Sequence, residues 1–271
     1  MREIKIGNRV FDLINHTYVM GILNVTPDSF SDGGMYLNTE AAVKRAIQMV
    51  NDGADIIDVG GESTKPGYTP VSAAEQIERV MPVIEEIKKR IDVPVSIDTY
   101  NAEVAREAIN AGCDMVNDIW ALQDTEEMAK LIADTHVVCV LMHNRKNAVY
   151  DDFRKDVLSD LGIYLDKALA AGIDIDKIIL DPGIGFAKTY EQNLSIIHHI
   201  DDIKDLGCPI LIGTSRKSVI GLTLDLPIFE RVEGTIATTV IACMKGVNFV
   251  RVHDVRENVR AIRMTEAILN A

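Results

Sequence analysis

The sequence predicts an α/β protein, a closed (β/α)8 TIM barrel, on three observations. Short continuous apolar runs alternate with amphipathic helical patterns along the chain, as in a parallel sheet covered by helices on its outer face. About eight such strand-then-helix units fit into 271 residues, near the usual length of one barrel and more strands than an open doubly wound sheet ordinarily uses. The apolar runs also end repeatedly in polar or charged residues, where such barrels gather their working side chains. No strong linker breaks the alternation, so one domain over residues 1–271 is expected.

Residues 1–15 read as a hairpin turning at Gly7-Asn8 and capping one end of the fold. The first core strand, 18–23, ends in Asn24. The loop that follows, NVTPDSFSDGG, leads to a helix capped by Thr39, with an apolar stripe from Ala42 to Val50 and a stop at Gly53. Strand two, 55–61, runs into the Gly/Pro loop GESTKPGY. Ser72 and Glu75 form a capping box for the next helix. Strand three, 95–98, ends in Asp98, and a helix over 103–111 stops at Gly112. Strand four is 115–118, followed by a helix over 126–133. Strand five, 137–142, precedes His143; a polar stretch then leads to a helix over 157–171. Strand six, 177–180, ends in Asp181-Pro182-Gly183, with a helix over 190–206. Strand seven, 209–212, opens into GTSRKS and a short apolar turn, then a helix over 230–245. Strand eight, 249–252, and a helix over 255–270 close the chain.

Composition narrows the function. A net charge of -13 and a pI near 4.9 argue against nucleic acid or an anionic membrane as partner. No apolar stretch is long enough to span a bilayer, and the N-terminus lacks a secretion-signal pattern, so a cytoplasmic protein is expected. Cys113, Cys139, Cys208 and Cys243 are scattered beside apolar segments and read as buried free thiols.

The strand ends supply Asn24, Asp58, Asp98, Asn117 with Asp118, His143, Asp181, Lys217, Arg251 and His253. Converging on one mouth, they predict a polar ligand site. Asp98, Asn117 and Asp181 are rich in acceptors and suit a flat heterocycle with several N–H groups. Asp58 and Asp118 fit better as helix caps. Arg251, His253 and Asn24, on neighbouring strands, suit a phosphate-type anion. Asn24, with Asp28 and Asp32 nearby, offers the oxygens that Mg²⁺ prefers. Lys217 is expected beside Asp181 from the adjacent strand. GTSRKS adds local cations, but it lacks Walker spacing.

NVTPDSFSDGG, DVGGEST, SIDTY, VNDI, LMHNR, DPGIGFAKT, GTSRKS and RVHDV occur in the order in which similar blocks occur in the dihydropteroate synthase family, which the chain resembles from about residue 18 to its end. The resemblance implies a dimerising TIM barrel that joins 6-hydroxymethyl-7,8-dihydropterin diphosphate to 4-aminobenzoate, giving 7,8-dihydropteroate and diphosphate on the route to folate. Sulfonamides compete with the aminobenzoate in that family. Carried over by motif, Asp98, Asn117, Asp181 and Lys217 resemble the pterin contacts. Arg251 and His253, with Asn24, resemble the diphosphate contacts, and Asn24 also resembles the contact to Mg²⁺. Phe30, Thr64, Lys65, Pro66, Phe186 and Ser218 resemble the aminobenzoate pocket, with Phe30 and Asp32 in a first mobile loop and 64–66 in a second. Lys65 stands where the family commonly carries Arg, keeping the charge but losing the planar fork. The alternatives are a pterin-dependent methyltransferase module, a barrel that binds pterin without turnover and, more distantly, a Mg²⁺-dependent sugar-phosphate barrel.

Overall fold

The computed structural model describes residues 1–25, 35–62 and 71–271, apart from the side chains of 35–38. A two-stranded antiparallel hairpin, β1 (Glu3–Ile6) and β2 (Arg9–Asp12), comes first, turning at Gly7-Asn8 as the sequence predicts. Eight parallel strands follow: β3 (Tyr18–Asn24), β4 (Ile56–Gly60), β5 (Val95–Asp98), β6 (Met115–Asp118), β7 (Val138–Met142), β8 (Ile178–Asp181), β9 (Leu211–Ile212) and β10 (Phe249–Val252). Neighbours pair in chain order from β3 to β8, while β10 lies between β9 and β3. A parallel bridge between Leu180 and Ile210 joins β8 to the run entering β9 and completes the barrel.

The helices are α1 (Met35–Asn51), α2 (Ala73–Arg90), α3 (Ala102–Asn110), α4 (Glu126–Thr135), α5 (Phe153–Ala170), α6 (Tyr190–His198), α7 (Ser218–Leu224), α8 (Val232–Met244) and α9 (Val255–Leu269). Several starts differ from the sequence reading. The first helix begins at Met35, which puts Thr39 in its second turn rather than at its cap. α5 begins four residues before 157, because the Asp152 carboxylate accepts from the Lys155 N–H and caps it. The helix read over 190–206 breaks at His199 and continues as a 3-10 turn, Ile200–Leu206. The short apolar turn after GTSRKS is a full helix, α7. Only half of the capping box on α2 forms: Ser72 Oγ accepts from the Glu75 N–H, while the Glu75 carboxylate pairs with Arg79.

The two faces of the strands build two separate cores. Outward residues such as Val19, Ile57, Ile97, Val116, Leu141, Leu180 and Val250 pack against the helices. Inward residues Met20, Ile56, Met115, Val138, Val140, Ile179, Leu211 and Phe249 fill the lower barrel. The hairpin presses Ile4, Ile6 and Phe11 onto that inner layer and plugs the base. Each such side chain contributes about 1.5–3 kcal/mol by leaving water. The cap expected from residues 1–15 therefore sits at the N-terminal end of the barrel, leaving the opposite end open for the site.

Candidate active site

Side chains on a strand alternate faces, so positions two residues above the apolar base also point inward. There the chemistry changes. Met20 is followed at this spacing by Ile22 and Asn24, Ile56 by Asp58, Met115 by Asn117, Ile179 by Asp181 and Phe249 by Arg251. Asn24, Gly60, Asp98 and Asn117 share one row across β3, β4, β5 and β6, since Asn24 pairs in register with Gly60, Gly60 with Asp98, and Asp98 with Asn117.

Arg251 ties this layer together. Its Nε donates to Asp58 Oδ2 at 2.6 Å and its Nη2 to Asp98 Oδ2 at 2.5 Å. Asn117 Nδ2 donates to the same Asp58 oxygen at 3.1 Å. Asp58 is wholly buried, and it is not the helix cap that the sequence suggested. Among the described residues no helix follows it until Ala73; a carboxylate inside the apolar run DIIDVGG was the signal that could have shown this. The grouping also differs from the expected one. Arg251 reaches across to the acceptors on β4 and β5, and does not stand apart with His253 and Asn24. Burial, opposed by Arg251 and aided by Asp58, pushes the Asp98 carboxyl up to about 7. Burial works against the Arg251 guanidinium, but the Asp58 and Asp98 carboxylates outweigh it and hold its pKa above the usual arginine value. Asp58 Oδ1, Ser96 Oγ and Asp98 Oδ1 are buried without a hydrogen-bond partner among the described residues. Unpaired buried acceptors are costly, and a ligand with N–H groups offsets that cost.

Asp181 lies on the far side of this layer. Its Oδ1 accepts from the Gly183 N–H at 2.7 Å, bridging over Pro182, which has no N–H to give. Burial raises its pKa, with Lys217 opposing. Lys217 does not form an ion pair with Asp181. Its ammonium donates to the Ile184 carbonyl and stands 4.8 Å from the centre of the Phe186 ring. Burial pulls it down to about 8, with Asp181 opposing. Gly183 has φ +68, and a Cβ there would come within 2.0 Å of the His143 carbonyl oxygen, so this loop approach requires glycine.

At the other rim, His253 Nδ1 lies 2.9 Å from Ser215 Oγ, which also accepts from the His253 N–H at 3.1 Å. Arg216 forks onto Asp254 with bonds of 3.0 and 2.5 Å. Ser215 anchors His253, and only the polar run GTSRKS hinted at it. Asp118 is not a helix cap either: its two oxygens accept from the Trp120 and Leu122 N–H groups at 2.8 and 2.7 Å and hold a turn, while the next helix begins at Glu126 behind Thr125. His143 is not at the mouth. It is fully buried, with Nε2 3.0 Å from Asp160 on α5. Ser218 opens α7 beside Lys217. Phe30, Asp32, Thr64, Lys65 and Pro66 lie outside the described residues, as does Asp28.

A parallel barrel with buried acceptors arranged around one arginine at the C-terminal ends of its strands suits a heterocycle that carries several N–H groups, and the family model described as pterin binding enzyme matches residues 20–253. The dihydropteroate synthase of Clostridium beijerinckii is 56% identical over 267 residues, covering 98% of this chain and 99% of that protein. The solved dihydropteroate synthase from Clostridium difficile, in the presence of pteroic acid, superposes with a TM-score of 0.92 at 48% identity over 98% of this chain and 99% of that one. The Xanthomonas albilineans enzyme with 4-aminobenzoic acid superposes at 0.95 and 40% identity over 100% and 99%. The chain belongs to the dihydropteroate synthase family.

Proposed function

We propose that the mouth of this barrel runs the synthase reaction in two adjoining subsites, with the roles assigned below. The reaction condenses 6-hydroxymethyl-7,8-dihydropterin diphosphate with 4-aminobenzoate: a carbon–oxygen bond breaks, diphosphate leaves with the electron pair, a carbon–nitrogen bond forms and the amine loses a proton. Asp98, Asn117, Asp181 and Lys217 hold the pterin, the carboxylates facing its N–H groups. The buried Asp98 oxygen without a partner is the observation that carries this assignment. Arg251 and His253 hold the diphosphate with Asn24. Phe186 and Ser218, with Phe30, Thr64, Lys65 and Pro66, form the aminobenzoate side.

Catalysis in this reading is positioning and charge stabilisation, with no covalent intermediate on the protein. The carboxylates favour cationic character in the pterin ring as the leaving group departs, and the cations favour the departing diphosphate.

Mg²⁺ belongs to the proposal. A Cβ on Gly60 would touch both Asn24 Oδ1 and Asp98 Oδ2, so glycine leaves a small oxygen-lined space between them. No group of three His, Cys, Asp or Glu side chains among the described residues could hold a metal. That donor set fits an ion that takes few protein ligands and relies on substrate phosphate oxygens and water, as Mg²⁺ does. Asn24 would hold it, and when bound it supplies charge neutralisation at the diphosphate.

A homodimer is proposed as well. Large exposed apolar side chains concentrate on and between α7, α8 and α9, among them Leu222, Phe229, Met244, Met264 and Ile268. Light scattering tests it, and a monomer at micromolar concentration removes it. No helix among the described residues is long and apolar enough to cross a membrane; the reading places the protein in the cytoplasm, where cell fractionation checks it. The reaction itself is tested by diphosphate release. Release should require both 4-aminobenzoate and Mg²⁺; release independent of the arylamine contradicts the assignment.

A further inference from the structure

The loop between β8 and α6 has no regular structure, and a main chain without it must find partners elsewhere. Here side chains supply them. The Gly183 and Phe186 carbonyls accept from Lys188 Nζ at 3.0 and 3.1 Å. The Ile184 carbonyl accepts from Lys217 Nζ, and the Ala187 carbonyl from the Tyr150 hydroxyl at 2.9 Å. Asn193, buried on α6, accepts from the Gly185 N–H at 2.6 Å. Lys188 is the hub, because its ammonium also lies 2.9 Å from His143 Nδ1.

The three acceptors account for all three ammonium protons. Burial draws Lys188 down to about 7, and to its ammonium form Nδ1 of His143 is the third acceptor, with the ring proton on Nε2, facing Asp160 Oδ2 at 3.0 Å. Burial, reinforced by Lys188, draws His143 down to about 4, consistent with a neutral ring. Asp160 is itself held by Arg145 Nε at 2.6 Å. The relay from Arg145 through Asp160 and His143 to Lys188 thus ends on the backbone of the loop.

We propose that Lys188 is a positioning residue for the synthase reaction, fixing the loop 183–187 so that Phe186 and the Asp181–Gly183 turn are presented correctly at the mouth. This rests on the reading of Phe186 as a wall of the aminobenzoate subsite. It gives His143, which the strand-end pattern singled out, its use as the outer end of the support.

The test compares Lys188→Met, Phe186→Ala and the double variant by diphosphate release, with 4-aminobenzoate varied at saturating pterin diphosphate. Circular dichroism establishes folding, and Lys188→Gln replaces Lys188→Met if the latter does not fold. In the folded variant the KM for 4-aminobenzoate should rise roughly ten-fold, equivalent to about 1.4 kcal/mol of lost binding. In the Phe186→Ala background the same substitution should add little, since a residue acting through another is non-additive with it. A merely structural role lowers the melting temperature and leaves KM per folded molecule unchanged, and that result overturns the inference, as does full additivity. If Phe186→Ala alone leaves the aminobenzoate KM unchanged, the subsite reading falls and takes the inference with it. If Phe186→Ala raises KM and folded Lys188→Met does not, only the inference fails.

Discussion

The base and the mouth of the barrel use the same strands and the same inward-facing period, yet they are built oppositely. At the base, Met20, Ile56, Met115, Ile179 and Phe249 meet Ile4, Ile6 and Phe11 from the hairpin, in a closed apolar contact. Two residues further along, Asp58, Asn117, Asp181 and Arg251 occupy the inner layer, and three buried polar oxygens there have no partner among the described residues. The base stabilises the fold. The mouth carries buried charge whose cost a bound ligand offsets. Stability and recognition are thus separated along β4, β6, β8 and β10 by one step of the pleat.

The comparison is broken most sharply at Arg251. Arg251→Ala leaves Asp58 and Asp98 buried without their cation, and removing one partner of a buried pair costs about 3–5 kcal/mol. Because Arg251 also holds Asp98, binding of the unphosphorylated pterin should weaken along with binding of the diphosphate substrate. Reading the sequence by strand ends alone would have the free pterin spared. Calorimetric titration with both ligands decides it, and an unchanged affinity for the free pterin detaches Arg251 from the pterin subsite.

At the base, Phe11→Ala should destabilise by a comparable amount, about 3–5 kcal/mol, by opening a cavity in the plug. The folded variant should keep wild-type pterin affinity and wild-type turnover. Denaturant unfolding and calorimetry together check this; a matching loss of affinity would mean that the two ends are coupled.

A smaller effect separates the two ends by pH. Burial holds the Lys217 ammonium at about 8 in the fold, below the ordinary value of 10.5. Between those values the unfolded chain binds more protons than the folded one, so folding stability rises with pH across the window. Wild type should therefore gain stability relative to Lys217→Met from about pH 8 to about 10.5, whereas the difference between wild type and Phe11→Ala should stay flat. Urea unfolding at several pH values reads both, and a flat Lys217 difference would show that its ammonium is not held in a desolvated place.

Much of this division could be read from the sequence, for a physical reason. Strand and helix periods are local, so β5, β6 and β10 and the hairpin fall where the apolar runs put them. Asp98, Asn117 and Asp181 were legible because each ends such a run. What could not be read depends on contacts between distant segments. Arg251 meets Asp58 and Asp98 from the last strand, and periodicity says nothing about where a long side chain ends. Lys217 was expected on Asp181, but its ammonium takes the Ile184 carbonyl, a backbone acceptor that no composition reveals. The start of α5 shifted because Asp152 caps it through a polar stretch that looked like loop.

Asp181 offers the most direct test that the inner layer of the mouth recognises the pterin. Asp181→Asn keeps an oxygen for the Gly183 N–H and leaves the apolar residues of β8 untouched, so the fold should survive. It removes the charge and turns one acceptor into a donor, facing ligand N–H groups. Isothermal titration of 6-hydroxymethylpterin onto the folded variant should show affinity lower by about 1–3 kcal/mol, the cost of an unsatisfied buried polar group. Affinity equal to wild type would reduce Asp181 to a loop cap and contradict the placement of the pterin in this layer.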